Sequence, residues 1–263
     1  MPDSTAAVNY SSYLALGEIL GAQRPRSAEH DEMLFIVIHQ VYELWFKQLI
    51  HETRHAQEKL ELGSGPQAMH TMRRMRTILK TVVGQLDVLE TLTPVQYAGF
   101  RDRLDTASGF QSAQFRELEA VFGRREPSVL DHYEPGSAEC ERIAAAMSRR
   151  SLFDSFLAYL AAAGWEVPSA ALGRDVHAPV APNEEVQSLL ITIYLDDGEA
   201  AQVCERMLDL DEGVQEWRYR HVKMVERTIG DKRGTGGSSG AAYLRSTLFA
   251  PVFPDLWAVR SRL

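Results

Sequence analysis

Cysteine is scarce in this sequence. Cys140 and Cys204 are its two cysteines, and neither belongs to a paired motif. A secreted scaffold held together by disulfides needs several cysteines at regular spacings. We therefore interpret both residues as free thiols in a reducing compartment.

The sequence also lacks a long apolar run and an excess of basic residues. Its N-terminus has neither the basic start nor the apolar centre of a signal peptide. The apolar run at residues 33–38 is too short to span a membrane. The formal net charge of −8 argues against nucleic acid or an anionic membrane as the main partner. We expect a cytoplasmic protein that binds neither.

Strand patterns are almost absent, because no alternating stretch of four to eight residues is bounded by turn residues. Hydrophobic residues make up 45% of the chain and charged residues 24%, which is ordinary globular composition. The length of 263 residues allows one large domain or two small ones, and we find no internal repeat. We predict an all-α fold and treat residues 1–263 as a single domain.

The segment at residues 31–52 is the strongest helix signal. It contains no Gly or Pro and has apolar residues on nearly all helical faces, which predicts a long, deeply buried helix. His39 stands alone among hydrophobic residues, and Phe35 lies on the same face, one turn earlier. Two interpretations of His39 remain open at this point: a core histidine with satisfied ring nitrogens, or a histidine that faces a ligand in an apolar cavity.

Helical spacing recurs along most of the remaining chain. Pro94 suits the first turn of a helix that carries Tyr97 and Arg101 on one face, and Gly230 suits a helix end. A Pro-, Gly- and Ala-rich connection at 164–182 is predicted to be irregular. We expect helices at residues 10–20, 68–92, from 94 onward, 111–122, 139–164 in two pieces, 183–196, 199–229 and from 241 onward.

Residues 51–55, HETRH, match the H-E-x-x-H pattern of zinc metallopeptidases, in which two histidines share a helix face. The match falls where the first long helix turns polar, and charged residues at this spacing are common on solvated faces. We therefore favour a solvated face over a zinc site, for which His70 would be the third ligand.

A Gly-rich segment at 232–240, KRGTGGSSG, follows the last long helix. It lacks the Lys-Ser/Thr ending of a nucleotide-binding P-loop and does not follow a strand. Its composition fits a flexible linker and equally a Gly-hinged lid over an active site, with Thr235 at its centre.

Three polar residues lie on three different predicted helices: His39, Arg101 and His221. The residues alone do not establish that they converge. A buried histidine of an all-α protein can hold heme through its imidazole, but a lone His is usually structural and a lone Arg usually exposed.

Four blocks of sequence resemble the tryptophan 2,3-dioxygenase family of heme enzymes. They fall in the family's order and span nearly the whole chain. The blocks are HDEMLFIVIHQVYELWFKQLIHE (30–52), LETLTPVQYAGFRDRL (89–104), SGFQSAQFRELE (108–119) and QEWRYRHVKMVERTIGDKRGTGGSSG (215–240).

The resemblance implies a homotetramer with one b-type heme in each subunit. It implies that His221 is the proximal iron ligand, that Ser108 lies near the heme edge and that His39 contacts the indole nitrogen. The other implied substrate contacts are Phe35 against the indole, Arg101 at the carboxylate, Tyr97 in the lining of the same pocket, and Thr235 near the ammonium group. Residues 1–28 would form an arm that contacts a neighbouring subunit, whose pocket would be completed by Tyr10, Tyr13 and Leu14.

The activity implied is cleavage of the indole C2–C3 bond of L-tryptophan by O2, which gives N-formylkynurenine. A close rival is a monooxygenase of the same family that acts on tryptophan or a substituted tryptophan in specialised metabolism. The same pocket residues would serve both. A zinc peptidase, a heme sensor without turnover and a purely structural helical protein are the alternatives from other classes.

Overall fold

Helices account for the regular structure of this chain. The structure is a computed structural model that describes residues 7–232, 234–235 and 240–263, and no strand occurs within those ranges. Short 3₁₀ turns lie at Gly109–Gln111, Pro127–His132 and Val259–Arg262. The α-helices are α1 (Tyr10–Tyr13), α2 (Leu16–Ile19), α3 (Glu32–Glu61), α4 (Gly65–Leu89), α5 (Pro94–Arg101), α6 (Ala113–Phe122), α7 (Ala138–Met147), α8 (Leu152–Ala162), α9 (Ser169–Leu172), α10 (Glu184–Asp196), α11 (Glu199–Ile229), α12 (Ala241–Ser246) and α13 (Pro254–Ala258).

The helix α4 lies between the two longest helices, α3 and α11, and packs along both. One face of α4 is fully buried, with Met72, Met75 and Leu86 almost inaccessible to water. Gly213 of α11 permits a close approach, because a Cβ atom added there would lie 3.1 Å from Leu79 Cδ1. The three helices together form the frame of the main hydrophobic core.

The prediction that α3 is buried on nearly all faces is wrong. Met33, Val37 and Leu44 are 44%, 38% and 51% exposed. They follow helical spacing on one side, whereas Tyr42, Phe46 and Leu49 point into the core on the other. Both sides of α3 carry apolar residues, but only one side packs into the core. The other side has no partner among the residues of this chain that the structure describes.

Capping residues set several helix starts where the sequence predicts them. Thr93 and Gln96 form a capping box ahead of α5, with Pro94 in the first turn. Ser151 and Asp154 do the same for α8, which confirms the predicted break between α7 and α8. Helix α11 has the predicted bounds, and its C-cap Gly230 adopts a φ of +61°.

The N-terminal prediction of one amphipathic helix is wrong. Two single turns, α1 and α2, are separated by Ala15, which adopts a left-handed φ of +51°. Tyr10 and Tyr13 are 76% and 78% exposed. No residue of α1 or α2 is buried in the hydrophobic core.

The connection at 164–182 is irregular apart from the single turn α9, as predicted. Arg125 is completely buried and donates to the carbonyl oxygens of Ala120, Ala146 and Arg149, and to that of Val176 in the connection. These carbonyl oxygens satisfy a cation that would be costly to bury without partners. The connection is thus tied to the helical frame by the Arg125 side chain.

Among the described residues, no helix is both long enough and apolar enough to cross a membrane. The longest helices, α3 and α11, carry charged residues along their lengths.

Candidate functional site

A cavity of about 220 Å³ lies among α3, α4, α5, α6, α11 and α12. Its wall brings together side chains from segments far apart in sequence. The predicted site residues that line it are Phe35, His39, Tyr97, Arg101, Ser108, His221 and Thr235. Of the residues predicted for the site, Tyr10, Tyr13 and Leu14 do not line the cavity of their own chain.

His39 is held in one tautomer by its own helix. Its Nδ1 lies 2.7 Å from the carbonyl oxygen of Phe35, one turn earlier. A carbonyl oxygen only accepts, so Nδ1 carries the proton and Nε2 of the neutral ring is free to accept a hydrogen bond. Burial lowers the pKa of His39, which favours this neutral form.

Phe35 is the centre of an aromatic group at one end of the cavity. Its ring centroid lies 4.1 Å from that of His39, 5.8 Å from that of Tyr97 and 5.5 Å from that of Phe100. Phe100 is fully buried and fixes α5 against α3. This end of the cavity is therefore an apolar slot with one imidazole acceptor.

Arg101 lies at the C-terminal end of α5, one turn after Tyr97, with which it shares a side-chain hydrogen bond. Burial raises the pKa of the Tyr97 hydroxyl, so this group stays protonated at neutral pH. A guanidinium group has a planar fork of donors that matches a carboxylate. The pair gives the apolar slot a cationic edge.

Thr235 contacts the loop that follows α5. Its hydroxyl donates to the carbonyl oxygen of Ala107 at 2.6 Å. Next in the chain, Ser108 accepts from the backbone N–H of Phe110 at 3.3 Å and starts a 3₁₀ turn. The remainder of the Gly-rich segment, Arg233 and residues 236–239, lies outside the described residues.

His221 enters the cavity from α11. Its ring stacks on that of Trp217, one turn earlier, with centroids 5.1 Å apart and planes 13° apart. Burial lowers the pKa of His221 to about 4, with a smaller contribution from His39. Within the described residues no side chain or backbone group forms a hydrogen bond with the ring of His221. The imidazole is therefore neutral at pH 7, with a lone pair available to a metal ion.

A polar cluster on the wall was missed by sequence reasoning. Glu119 accepts from Arg116 at 2.8 Å and from Arg218 at 2.9 Å. Burial alone would raise the pKa of Glu119, but the two guanidinium groups lower it. In the sequence, Arg116 and Glu119 resemble an ordinary pair on a solvated helix face, and only long-range packing brings Arg218 to them.

The aromatic part of the wall suits a large planar cofactor. Phe46, Phe115 and Trp217 form an aromatic group with centroid distances between 4.8 and 6.0 Å. Charged groups line the same cavity, with guanidinium groups at Arg101, Arg116 and Arg218 and carboxylates at Glu43 and Glu119. Arg116 and Arg218 are already bonded to Glu119, so it is neutral His221 and the apolar aromatic surface, not spare cations, that suit heme b.

The metallopeptidase pattern does not form a site. Glu52 is buried and accepts from Arg74 at 2.9 and 3.1 Å, so its carboxylate is engaged rather than free to act as a base. His51 and His70 are exposed, and His55 lies 3.8 Å from Glu58. The part of the chain that the structure describes holds no group of three or more His, Cys, Asp or Glu side chains suited to a metal ion.

Comparisons with known proteins all point to the same family. The sequence model of the tryptophan 2,3-dioxygenase family matches residues 2–163 and 181–263. A protein named tryptophan 2,3-dioxygenase from Anaeromyxobacter sp. (strain K) is 63% identical, over 98% of this chain and 97% of its own length. Proteins of the same name from Herpetosiphon aurantiacus and Caulobacter vibrioides are 53% and 41% identical, over 98% and 97% of this chain and 99% and 98% of their own lengths.

Proposed function

Because the chain belongs to the tryptophan 2,3-dioxygenase family, we propose that it is a heme-dependent dioxygenase. Its reaction is the opening of the indole C2–C3 bond of L-tryptophan by O2, with N-formylkynurenine as product. The observation that carries this proposal is the convergence of His39, Arg101, Thr235 and His221 on one cavity.

His221 is the proposed ligand of the heme iron. Its neutral ring, which lacks a hydrogen-bond partner among the described residues, supports this role, and stacking on Trp217 restrains its orientation. The aromatic group of Phe46, Phe115 and Trp217 would pack against the heme. The bound heme supplies the activation of O2, and the protein supplies orientation and exclusion of water.

The substrate would occupy the end of the cavity that contains Phe35. The Nε2 of His39 accepts from the indole N–H, while Phe35 packs against the indole ring. Arg101 clamps the carboxylate with the help of Tyr97. Thr235, whose proton is given to Ala107, offers a lone pair to the ammonium group. These contacts fix the ring relative to the iron and restrict the substrate to an amino acid with an indole side chain.

We further propose a cytoplasmic homotetramer in which the N-terminal arm, residues 1–28, contacts a neighbouring subunit. Tyr10 and Tyr13 are exposed and do not line their own cavity, which is the placement expected of residues that complete another subunit's pocket. The exposed apolar side of α3, at Met33, Val37 and Leu44, gives a partner subunit further surface to cover.

A turnover assay under heavy-isotope O2 tests the proposed reaction. The reduced, heme-loaded protein receives L-tryptophan, and mass spectrometry reads the products. We expect N-formylkynurenine that carries two labelled oxygen atoms. One labelled oxygen in a product with an intact ring would instead identify the monooxygenase, and heme binding without any product would contradict both.

A further inference from the structure

The chain makes a tight turn at residues 26–32, just before α3. The carboxylate of Glu32 accepts from the backbone N–H of Arg26 and of Ser27, both at 2.7 Å, and from the Ser27 hydroxyl at 2.5 Å. Glu32 is only 1% exposed. Three bonds to one buried carboxylate give this turn a defined shape, so side chains that leave it start from fixed positions.

Two side chains of this turn reach the segment that carries Arg101. The guanidinium group of Arg26 lies 2.8 Å from the carboxylate of Asp105. The Glu29 carboxyl group lies against Gly99 of α5, where an added Cβ would be 3.3 Å from it. The turn therefore contacts α5 between Tyr97 and Arg101, and it also contacts the loop that follows.

The loop that follows α5 also contacts Thr235. Asp105 adopts a left-handed φ of +48°, a conformation that aspartate tolerates better than most non-glycine residues. Two residues later, the Ala107 N–H donates to Leu104 at 2.8 Å, and the Ala107 carbonyl accepts from Thr235 at 2.6 Å. A shift of the Asp105 backbone would therefore move the oxygen that orients Thr235.

The direction of the hydrogen bond from Thr235 to Ala107 matters for recognition of an ammonium group. A threonine hydroxyl has one proton to donate and two lone pairs. Since the proton goes to Ala107, the lone pairs remain for a donor such as an ammonium group. The Ala107 carbonyl thus makes Thr235 an acceptor.

We propose that Arg26, through Asp105, is a positioning residue for Thr235 and thereby for recognition of the substrate's ammonium group. This inference rests on the proposed function, because Thr235 faces an ammonium group only if the substrate is an amino acid. The Arg26 and Asp105 side chains are 64% and 73% exposed, so solvent weakens their attraction. We expect an effect of about two- to fivefold on recognition, in the range of exposed ion pairs.

The experiment compares L-tryptophan with indole-3-propionate, which keeps the carboxylate and the indole but lacks the ammonium group. Binding constants of both ligands are measured calorimetrically on the heme-loaded protein, together with kcat and KM for L-tryptophan. Arg26→Met should weaken L-tryptophan binding about two- to fivefold and leave indole-3-propionate unchanged. KM should rise with kcat nearly constant, because the contact is made in the ground state and the transition state alike.

Three further variants sharpen the result. Arg26→Lys keeps the charge and should restore most of the affinity. Arg24→Met is the matched control, since within the described part of the chain Arg24 donates to the Gly21 and Gln23 carbonyl oxygens of its own segment and to no other group. In Thr235→Val, which removes the orienting bond, adding Arg26→Met should cause no further loss of L-tryptophan affinity.

Equal losses for both ligands, or no loss for either, would overturn the positioning role. Full additivity of Arg26→Met and Thr235→Val would overturn it as well. The proposed function fails in a different way, because the unaltered protein would then neither bind nor turn over L-tryptophan.

Discussion

The Nδ1 of His39 lies 2.7 Å from the carbonyl oxygen of Phe35 within the same helix. This contact fixes the proton on Nδ1 and leaves Nε2 as the only acceptor that the ring offers to the cavity. Phe35 therefore has two contacts with His39. Its ring packs beside the imidazole, and its carbonyl oxygen fixes the tautomer and so leaves Nε2 to accept a hydrogen bond. The bond is local to α3 and needs no ligand to form.

The acceptor role of His39 predicts a preference for an unsubstituted indole nitrogen. 1-Methyl-L-tryptophan, which has no N–H to donate, should bind to the unaltered protein about fivefold more weakly than L-tryptophan, as for loss of one neutral hydrogen bond. In His39→Ala the two ligands should differ much less. An undiminished difference in His39→Ala, measured by equilibrium titration, would mean that another group accepts from the indole.

The placement of His221 predicts that heme binding depends on this one imidazole. His221→Ala should lose stable heme binding, measured by absorbance titration of the purified protein. His51→Ala is the matched control, because His51 is exposed and does not line the cavity. A normal heme spectrum in His221→Ala would refute the axial role, whereas heme loss in both variants would indicate a general defect.

The cationic edge formed by Arg101 predicts that the protein binds ligands with a carboxylate more tightly than ligands without one. Arg101→Ala should weaken L-tryptophan binding about 10- to 100-fold, the range of a hydrogen bond to a charged group. Binding of 3-methylindole, which lacks the amino-acid group, should barely change. Arg103→Ala, at an exposed position two residues later, serves as control. Similar losses for both ligands in Arg101→Ala would be inconsistent with a carboxylate clamp.

The buried carboxylate of Glu32 predicts a pH-dependent stability. Burial alone would raise its pKa, but hydrogen bonds from Arg26 and Ser27 lower it below the ordinary value. A lowered carboxyl pKa stabilises the fold above the unfolded-state pKa, and this contribution is lost as pH falls through the folded-state pKa. Glu32→Gln should therefore reduce the free energy of unfolding by about 1–3 kcal/mol at pH 7.

The difference between Glu32→Gln and the unaltered protein should shrink from pH 5 to pH 3 in urea denaturation. Glu58→Gln, in the same helix but exposed, should show little change at any pH. A Glu32→Gln difference that is constant down to pH 3 would show that its effect comes from packing instead of charge.

The exposed tyrosines of α1 predict a role outside their own subunit. Removing residues 1–14 should lower kcat/KM for L-tryptophan while heme binding by His221 persists, because residues 7–14, the part of this segment that the structure describes, do not line their own cavity. Tyr13→Ala should reproduce part of the loss. Unchanged activity of the truncated protein, with oligomeric state checked by light scattering, would contradict completion of a neighbour's pocket.

Local signals explain why much of the fold was predictable. The bounds of α11, the start of α5 at Pro94 and the break before α8 follow from periodicity, capping residues and helix-ending glycine, which act within a few residues. The single N-terminal helix was predicted wrongly because no local feature reveals the left-handed Ala15. The exposed side of α3 escaped prediction because apolar composition alone does not say which face the rest of the chain covers.

The site was predictable only through resemblance. Spacing placed His39, Arg101 and His221 on three helices but left open whether they meet. Their shared cavity depends on how α3, α5 and α11 pack, which is a long-range property of the chain. The roles of these residues remain predictions until the variants are measured. The Glu119 cluster was missed for the same physical reason, since Arg218 is distant in sequence.

The buried Arg125 has a consequence for how the chain tolerates change. Its contact with the connection is to the Val176 carbonyl oxygen, and a second tie runs from the Val180 N–H to the Gly123 carbonyl. Main-chain atoms of this kind are present whatever side chains the connection carries. A third tie does depend on a side chain, because Arg174 of the connection donates to both carboxylate oxygens of Asp154 in α8. Residues 164–180 lie outside the family match. A foreign segment of equal length would therefore have to preserve the two main-chain ties and also supply a cation that reaches Asp154.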